Sequence, residues 1–152
     1  MTMVLPPIPL RILFVLTLLL SALSGNAANS SDVSPLGVWR YQDGRFQIYE
    51  DNGKLSGKVV SIDKPVAPNG EEAKDIHNPD PSKRNRPIQG LVFMEGFTAA
   101  GNGKWEHGTV YDPYTGNTYS ASMELEGKDR LKVRGYILVS LIGRTVVWER
   151  DK

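Results

Sequence analysis

The chain is 152 residues long, 40% hydrophobic and 23% charged, with 18 basic and 17 acidic side chains, a formal net charge of +1 and no cysteine. Near-neutrality without a basic run argues against nucleic acid or an anionic membrane surface as the partner. The missing thiols exclude a disulfide framework, a thiol nucleophile, a thiolate metal site and a lipid anchor attached through cysteine.

The N-terminal segment reads as a cleavable export signal. Arg11 is its single charge, Ile12–Leu20 (ILFVLTLLL) follows without a polar break other than Thr17, and small residues Ser24-Gly25-Asn26-Ala27 come next. A positive start, a short apolar core and small residues before the cut are what signal peptidase reads. Gly25 and Ala27 fit the two small positions, so cleavage is expected after Ala27. A membrane anchor would need about 20 apolar residues, and reaching that length here means including Arg11 and prolines 6, 7 and 9. Cleavage would remove only one charged residue and leave 17 basic and 17 acidic groups. The expected organisation is a signal peptide (1–27), a polar arm (28–35) and one domain (36–152), periplasmic or secreted and not membrane-integral once cut.

From Leu36 onward short runs rich in Val, Ile, Tyr, Trp and Phe alternate with glycine turns, the signature of strands and hairpins. Eight strands are predicted: Leu36–Tyr41, Arg45–Glu50, Lys54–Ile62, Ile88–Phe97, Lys104–Tyr111, Thr118–Leu125, Arg130–Leu138 and Arg144–Arg150. Asn52-Gly53 is the strongest hairpin signal, because both turn positions need positive φ. Asp43-Gly44, Gly101-Asn102-Gly103, Gly116-Asn117, Gly127 and Gly143 mark the other turns. Period-2 alternation is clear in Tyr119, Ala121, Met123, Leu125 and in Leu131, Val133, Gly135, Ile137. Tight hairpins throughout favour an all-β, up-and-down antiparallel barrel, since closure removes exposed edges. A β-sandwich is the alternative.

Two stretches depart from this rhythm. Residues 63–87 hold five prolines and many Asn and Asp residues, too long for an ordinary hairpin loop. The strand after it, Ile88–Phe97, is apolar on both faces. The expectation is that the long loop folds back over Leu91 and Phe93.

The set Gly37-Val38-Trp39, Asp75-Ile76-His77-Asn78-Pro79, Arg84-Asn85-Arg86-Pro87-Ile88-Gln89-Gly90, Trp105–Pro113, Leu131–Tyr136 and Trp148-Glu149-Arg150 resembles DUF2147, a family of exported bacterial proteins. The likeness covers roughly residues 35–151 and implies a lipocalin-like (calycin-like) eight-stranded barrel, with no activity to carry over. In such barrels a Gly-x-Trp on the first strand closes one end beneath an arginine from the last. That implies structural roles for Gly37 and Trp39, with Arg144 or Arg150 as the cation over the indole, a contact of roughly 0.5–2 kcal/mol.

No catalytic or metal motif is present, and no cofactor is expected. His107 is read on one face with Trp105, Thr109 and Tyr111, as a structural hydrogen bonder. His77 stands beside Asp75 and Asp80 without recognised metal spacing, and Asp75 and Asn78 read as loop staples. Asp112 reads as a turn cap, with a calcium cradle shared with Asn117 as the weaker alternative. Arg84 and Arg86 read as solvated, with capture of a carboxylate or phosphate as the alternative. The candidate ligand-binding residues are Trp39, Arg84, Arg86, Trp105, His107, Tyr119, Tyr136 and Trp148. The leading expectation is a barrel holding a small apolar or amphipathic ligand. A protein-interaction module or enzyme inhibitor comes second, and an enzyme built on His107 with Asp112 or Glu106 third. Small inward residues such as Gly57, Ala121 and Gly135 would favour a hollow interior.

Overall fold

Alternating strands linked by tight turns can bury one face by closing the sheet on itself, and here they do. The computed structural model describes residues 34–63, 70–137 and 142–152. The expected signal peptide and most of the arm lie outside these residues. Eight strands form a closed antiparallel barrel in chain order: β1 (Gly37–Tyr41), β2 (Gly44–Asp51), β3 (Lys54–Ile62), β4 (Val92–Gly101), β5 (Lys104–Asp112), β6 (Asn117–Glu126), β7 (Arg130–Tyr136) and β8 (Gly143–Arg150). The seam between β1 and β8 is short, pairing Trp39 with Arg150 and Arg40 with Glu149. The sandwich alternative is thereby set aside.

The turns follow local chemistry. Asn52 and Gly53 both take positive φ (51° and 74°), the mirror-image turn that matches strand twist. At the first hairpin the turn falls on Gln42-Asp43, one residue earlier than expected, with Gln42 at φ 53° and Gly44 already paired in β2.

Irregularities in β4 and β5 correct the simple alternation read from the sequence. On β5, Trp105 pairs with Met123 but Gly108 pairs with Ala121, so one extra residue is inserted at Glu106-His107, and His107 sits at φ 62°. An inserted residue flips every later side chain to the other face. Trp105 therefore shares the interior with Gly108 and Val110, while His107 is exposed. On β4, an extra residue between Met94 and Phe97 lets both face inward, where each is 1% exposed. A further shift at Phe93 brings that ring against Phe46 and Trp148. The two-faced apolar character of the segment thus reflects bulging, and Phe93 does not lie on the outer wall.

The segment Ile88–Leu91 is not strand. It is a turn in which the Leu91 N–H donates to the Ile88 carbonyl, and it docks on β3 through the Val59 N–H to the Leu91 carbonyl (2.9 Å) and the Gly90 N–H to the Val59 carbonyl (2.9 Å). The long loop does fold back here: Ala73 packs on a cluster of Val59, Ile88 and Leu91.

Interior packing is uneven. Towards the end where the chain enters β1 and leaves β8, the barrel is filled by Trp39, Ile48, Leu55, Met94, Phe97, Met123, Leu125 and Leu131, all buried. Each such side chain contributes about 1.5–3 kcal/mol of hydrophobic stabilisation. Glycines make this filling possible: a Cβ on Gly108 would lie 2.4 Å from the Phe97 ring, and one on Gly57 would lie 3.1 Å from Met94. The other end is left open.

Candidate functional site

The floor of the open half is aromatic. Phe46 stacks on Trp148 with ring centroids 5.0 Å apart, and Phe93 packs against both at 5.2 Å and 6.2 Å. Above it lies a cavity of about 750 Å³, within the ~300–1,000 Å³ typical of small-ligand sites. Its wall is mostly apolar or aromatic, including Val59, Ile88, Val110, Tyr119, Val133 and Val146, with Tyr41, Tyr111, Tyr114 and Tyr136 towards the mouth. Arg144, Asp43 and Asp112 are the charged residues on it. Among the described residues, Gln42, Asp43, Pro113, Tyr114, Ile137 and Ile142 border its mouth.

Of the residues singled out from the sequence, Tyr119, Tyr136 and Trp148 line this cavity. Gly135 does as well, and a Cβ there would meet only the Tyr119 Cβ at 3.8 Å. Gly57 and Ala121 are used differently, within the filled half. Trp39 and Trp105 do not line the cavity: Trp39 is fully buried in the core, and Trp105 packs on the core's edge. His107 lies outside on its bulge.

Trp39 closes the opposite end. Its Nε1–H donates to the Pro35 carbonyl (2.8 Å), and the Arg150 guanidinium lies over the indole at 4.2 Å. Arg150 also donates to the carbonyls of Lys128 (2.7 Å), Leu36 (3.0 Å) and Ser34 (2.7 Å). The fork therefore ties the entering chain to the β6–β7 turn. Gly37 belongs to the same assembly: its φ of 121° is one that L side chains rarely adopt, and a Cβ there would lie 3.2 Å from an Arg150 nitrogen, a tight approach. Of the two candidate arginines, Arg150 takes this place, and Arg144 stands at the far end of the barrel.

The long loop is fixed to the mouth by a buried carboxylate. Asp75 is fully buried and accepts hydrogen bonds from Tyr111 Oη (2.5 Å), Asn78 Nδ2 (2.8 Å) and Arg86 Nε (2.8 Å), and a second Arg86 nitrogen lies 2.8 Å away. The Asp75 N–H donates to the Arg86 carbonyl (3.0 Å), and Arg84 Nε donates to the Asn78 carbonyl (2.8 Å). Both arginines thus bond within the loop and neither lines the cavity, where the sequence reads them as solvated with anion capture as the alternative. Burial is the largest influence on Asp75 and raises its pKa, but the bonds from Tyr111, Asn78 and Arg86 together hold it below the ordinary carboxylate value. Burial, then the bond to Asp75 and its charge, raise the Tyr111 phenol, which stays protonated and donating at neutral pH. The loop also presses on the β5–β6 turn, where a Cβ on Gly116 would meet the His77 carbonyl oxygen at 2.1 Å. His77 itself is exposed. Asp112 serves that turn, accepting from the Tyr114 N–H (2.9 Å) and the Thr115 hydroxyl (2.9 Å), so both its oxygens are engaged without Asn117. Among the described residues no cluster of three or more potential metal ligands occurs.

The sequence reading missed the Phe46–Phe93–Trp148 floor, the Tyr111–Asp75 bond and the placement of Arg144. The first two join residues far apart in the chain, and no spacing signals them.

Trp148 Nε1 is buried and has no hydrogen-bond partner among the described residues. An indole N–H in that position gives nothing back for its desolvation. Trp148→Phe is therefore expected to cost less than about 1.5 kcal/mol in chemical denaturation, because ring loss is partly offset by removing the orphaned donor. Trp39→Phe should cost more, since it gives up the bond to Pro35.

A closed, eight-stranded, up-and-down barrel with one filled and one hollow end is the architecture of lipocalin-like proteins. A solved structure of this class, HP1028 from Helicobacter pylori, described as belonging to the lipocalin family, is similar to the chain. Sequence identity is 26% and the TM-score 0.70, covering 79% of this chain and 84% of that one. The model of the family described as "Uncharacterized protein conserved in bacteria (DUF2147)" matches residues 37–150, and the chain belongs to that family. No curated protein matches the sequence.

Proposed function

We propose that the protein is an exported binding protein whose barrel holds one small apolar or amphipathic ligand. The observation that carries this reading is the cavity of about 750 Å³ with an aromatic floor and a largely apolar wall. The fold shared with HP1028 is in keeping with it. Ile88 lines the cavity and Asp75 ties its loop to Tyr111 on the wall, which supports a largely preformed site and a limited ordering cost of binding. The reading of residues 1–27 as a cleavable signal supports work in the periplasm or beyond. N-terminal sequencing of the exported protein should start at Ala28.

Protein purified from its native host should carry a small molecule visible by native mass spectrometry and lost on denaturation. Titration of the delipidated protein with long-chain amphiphiles should change the emission of Trp148 on the cavity floor. Absence of both a co-purifying molecule and a fluorescence change would end the carrier reading. A second reading, an interaction module or inhibitor, draws on the exposed apolar side chains Tyr114, Ile137 and Ile142, which are 74%, 57% and 67% accessible and lie on the cavity rim. Such a rim suits an envelope protein as partner. A partner cross-linked through Tyr114 by a protein with an empty cavity would favour that reading.

A further inference from the structure

Among the described residues the cavity wall carries one cation, Arg144, and its position is set by strand register. Arg144 pairs with Gly135, as Val146 pairs with Val133 and Trp148 with Leu131, so all three β8 side chains belong to the interior face. Arg144 stands four residues from Trp148, about 13 Å above the floor at strand rise. Beside it the wall carries a gap, because Gly135 contributes no side chain and only Tyr119 borders the space.

We infer that the gap between Arg144 and Tyr119 is a head-group site, and that the ligand is an anionic amphiphile seated with its apolar tail on Phe46, Phe93 and Trp148. This rests on the carrier reading above and adds the charge and orientation of the ligand. Arg144 makes no ion pair or hydrogen bond with any described residue, in contrast to Arg84, bonded to the Asn78 carbonyl, Arg86, paired with Asp75, and Arg150, bonded to three carbonyls. The Tyr119 hydroxyl likewise has no described partner. A guanidinium and a phenol from residues lining one cavity can supply a bidentate fork and a further donor, the complement of a carboxylate or sulfate-like head. The two acids at the mouth do not neutralise Arg144. The Asp112 carboxylate is occupied by its own turn, and Asp43 lies in the β1–β2 turn beyond ion-pair distance. A low-dielectric wall strengthens the attraction of a single cation for an entering anion.

The test compares head groups on one tail. The delipidated protein is titrated with hexadecanoate, hexadecyl sulfate, hexadecanol and hexadecyltrimethylammonium below their micellar concentrations, by displacement of the neutral probe aminoanthracene. Both anions are expected to bind roughly tenfold or more tightly than the alcohol, as a charge-assisted bond implies. Arg144→Gln should erase that difference and leave hexadecanol unchanged, and Arg144→Lys should retain part of it. Gly135→Val, which fills the niche, should weaken the anions and spare the probe. Equal binding of acid and alcohol, or a difference that survives Arg144→Gln, would overturn the head-group site while leaving a carrier. Preference for the ammonium head would overturn it in favour of Asp43. If no amphiphile, hexadecanol included, displaces the probe, the carrier reading itself falls. Arg144 is exposed, so unchanged thermal melting of its variants separates loss of binding from loss of fold.

Discussion

Replacing Trp39 by alanine is expected to destabilise the barrel by roughly 3–5 kcal/mol, the range for deleting a buried aromatic side chain. The side chain is fully buried at the filled end. Its loss would remove core contacts, the hydrogen bond to Pro35 and the surface beneath Arg150. The consequence reaches beyond a cavity. Arg150 anchors three carbonyls on two separate segments, and the β1–β8 seam it sits on has only two paired positions. Without the indole to hold the guanidinium, the weakest seam of the barrel loses its clamp. Urea denaturation should show the lower midpoint, and hydrogen exchange should show the Asp151 N–H, which donates to the Val38 carbonyl, losing protection first. A Trp39→Ala protein as stable as the parent would remove this closure from the account. Arg150→Lys should give a smaller loss in the same direction, because an ammonium cannot reproduce the fork.

The second large effect lies at the other end. Asp75→Ala is expected to cost about 3 kcal/mol or more, since it strands the Tyr111 hydroxyl, the Asn78 amide and the Arg86 guanidinium together. Much of that loss should be local. Amides of the 73–91 segment should exchange faster, and the cavity mouth should admit ligand faster and release it faster. The pH dependence has a definite sign. The Asp75 pKa is lower in the folded protein than in the unfolded chain, so the network stabilises fully above the ordinary carboxylate pKa of about 4. That contribution declines as pH falls through the lowered folded value. Stability of the native protein should therefore drop more steeply below about pH 4 than that of Asp75→Asn. Parallel acid-unfolding curves for the two proteins would mean that the carboxylate does not carry this dependence.

The two ends divide the labour of the molecule. The filled end, with Phe97 over Gly108 and Met94 over Gly57, supplies the stability that a cysteine-free chain must draw from its core. The hollow end spends some of that stability on an open aromatic floor and, among the described residues, on an indole N–H at Trp148 and an arginine in the wall that have no partner. Such departures from good packing belong at binding sites, where a ligand completes the missing contacts.

Much of the architecture follows from the sequence by itself. Eight apolar alternating runs separated by glycine turns determine eight strands joined in order, and the absence of a covered edge leads to closure. The Gly37-Val38-Trp39 start and the arginines of the last strand carry the family likeness, and it is that likeness that implies an indole–cation plug. The tertiary structure decided the rest. Whether Arg144 or Arg150 reaches Trp39 depends on the β1–β8 register, a contact spanning more than 100 residues that no local pattern records. The bulges at His107 and Phe93 depend on how neighbouring strands and rings fit, and one inserted residue reverses which side chains face inward. That is why Trp105 joined the core and His107 left it. Asp75 looked like a loop staple, but its partners Tyr111 and Arg86 became visible only when the loop met β5. Whether the barrel is hollow turned on where Phe97 and Met94 point, since a glycine leaves space only if no neighbouring side chain takes it.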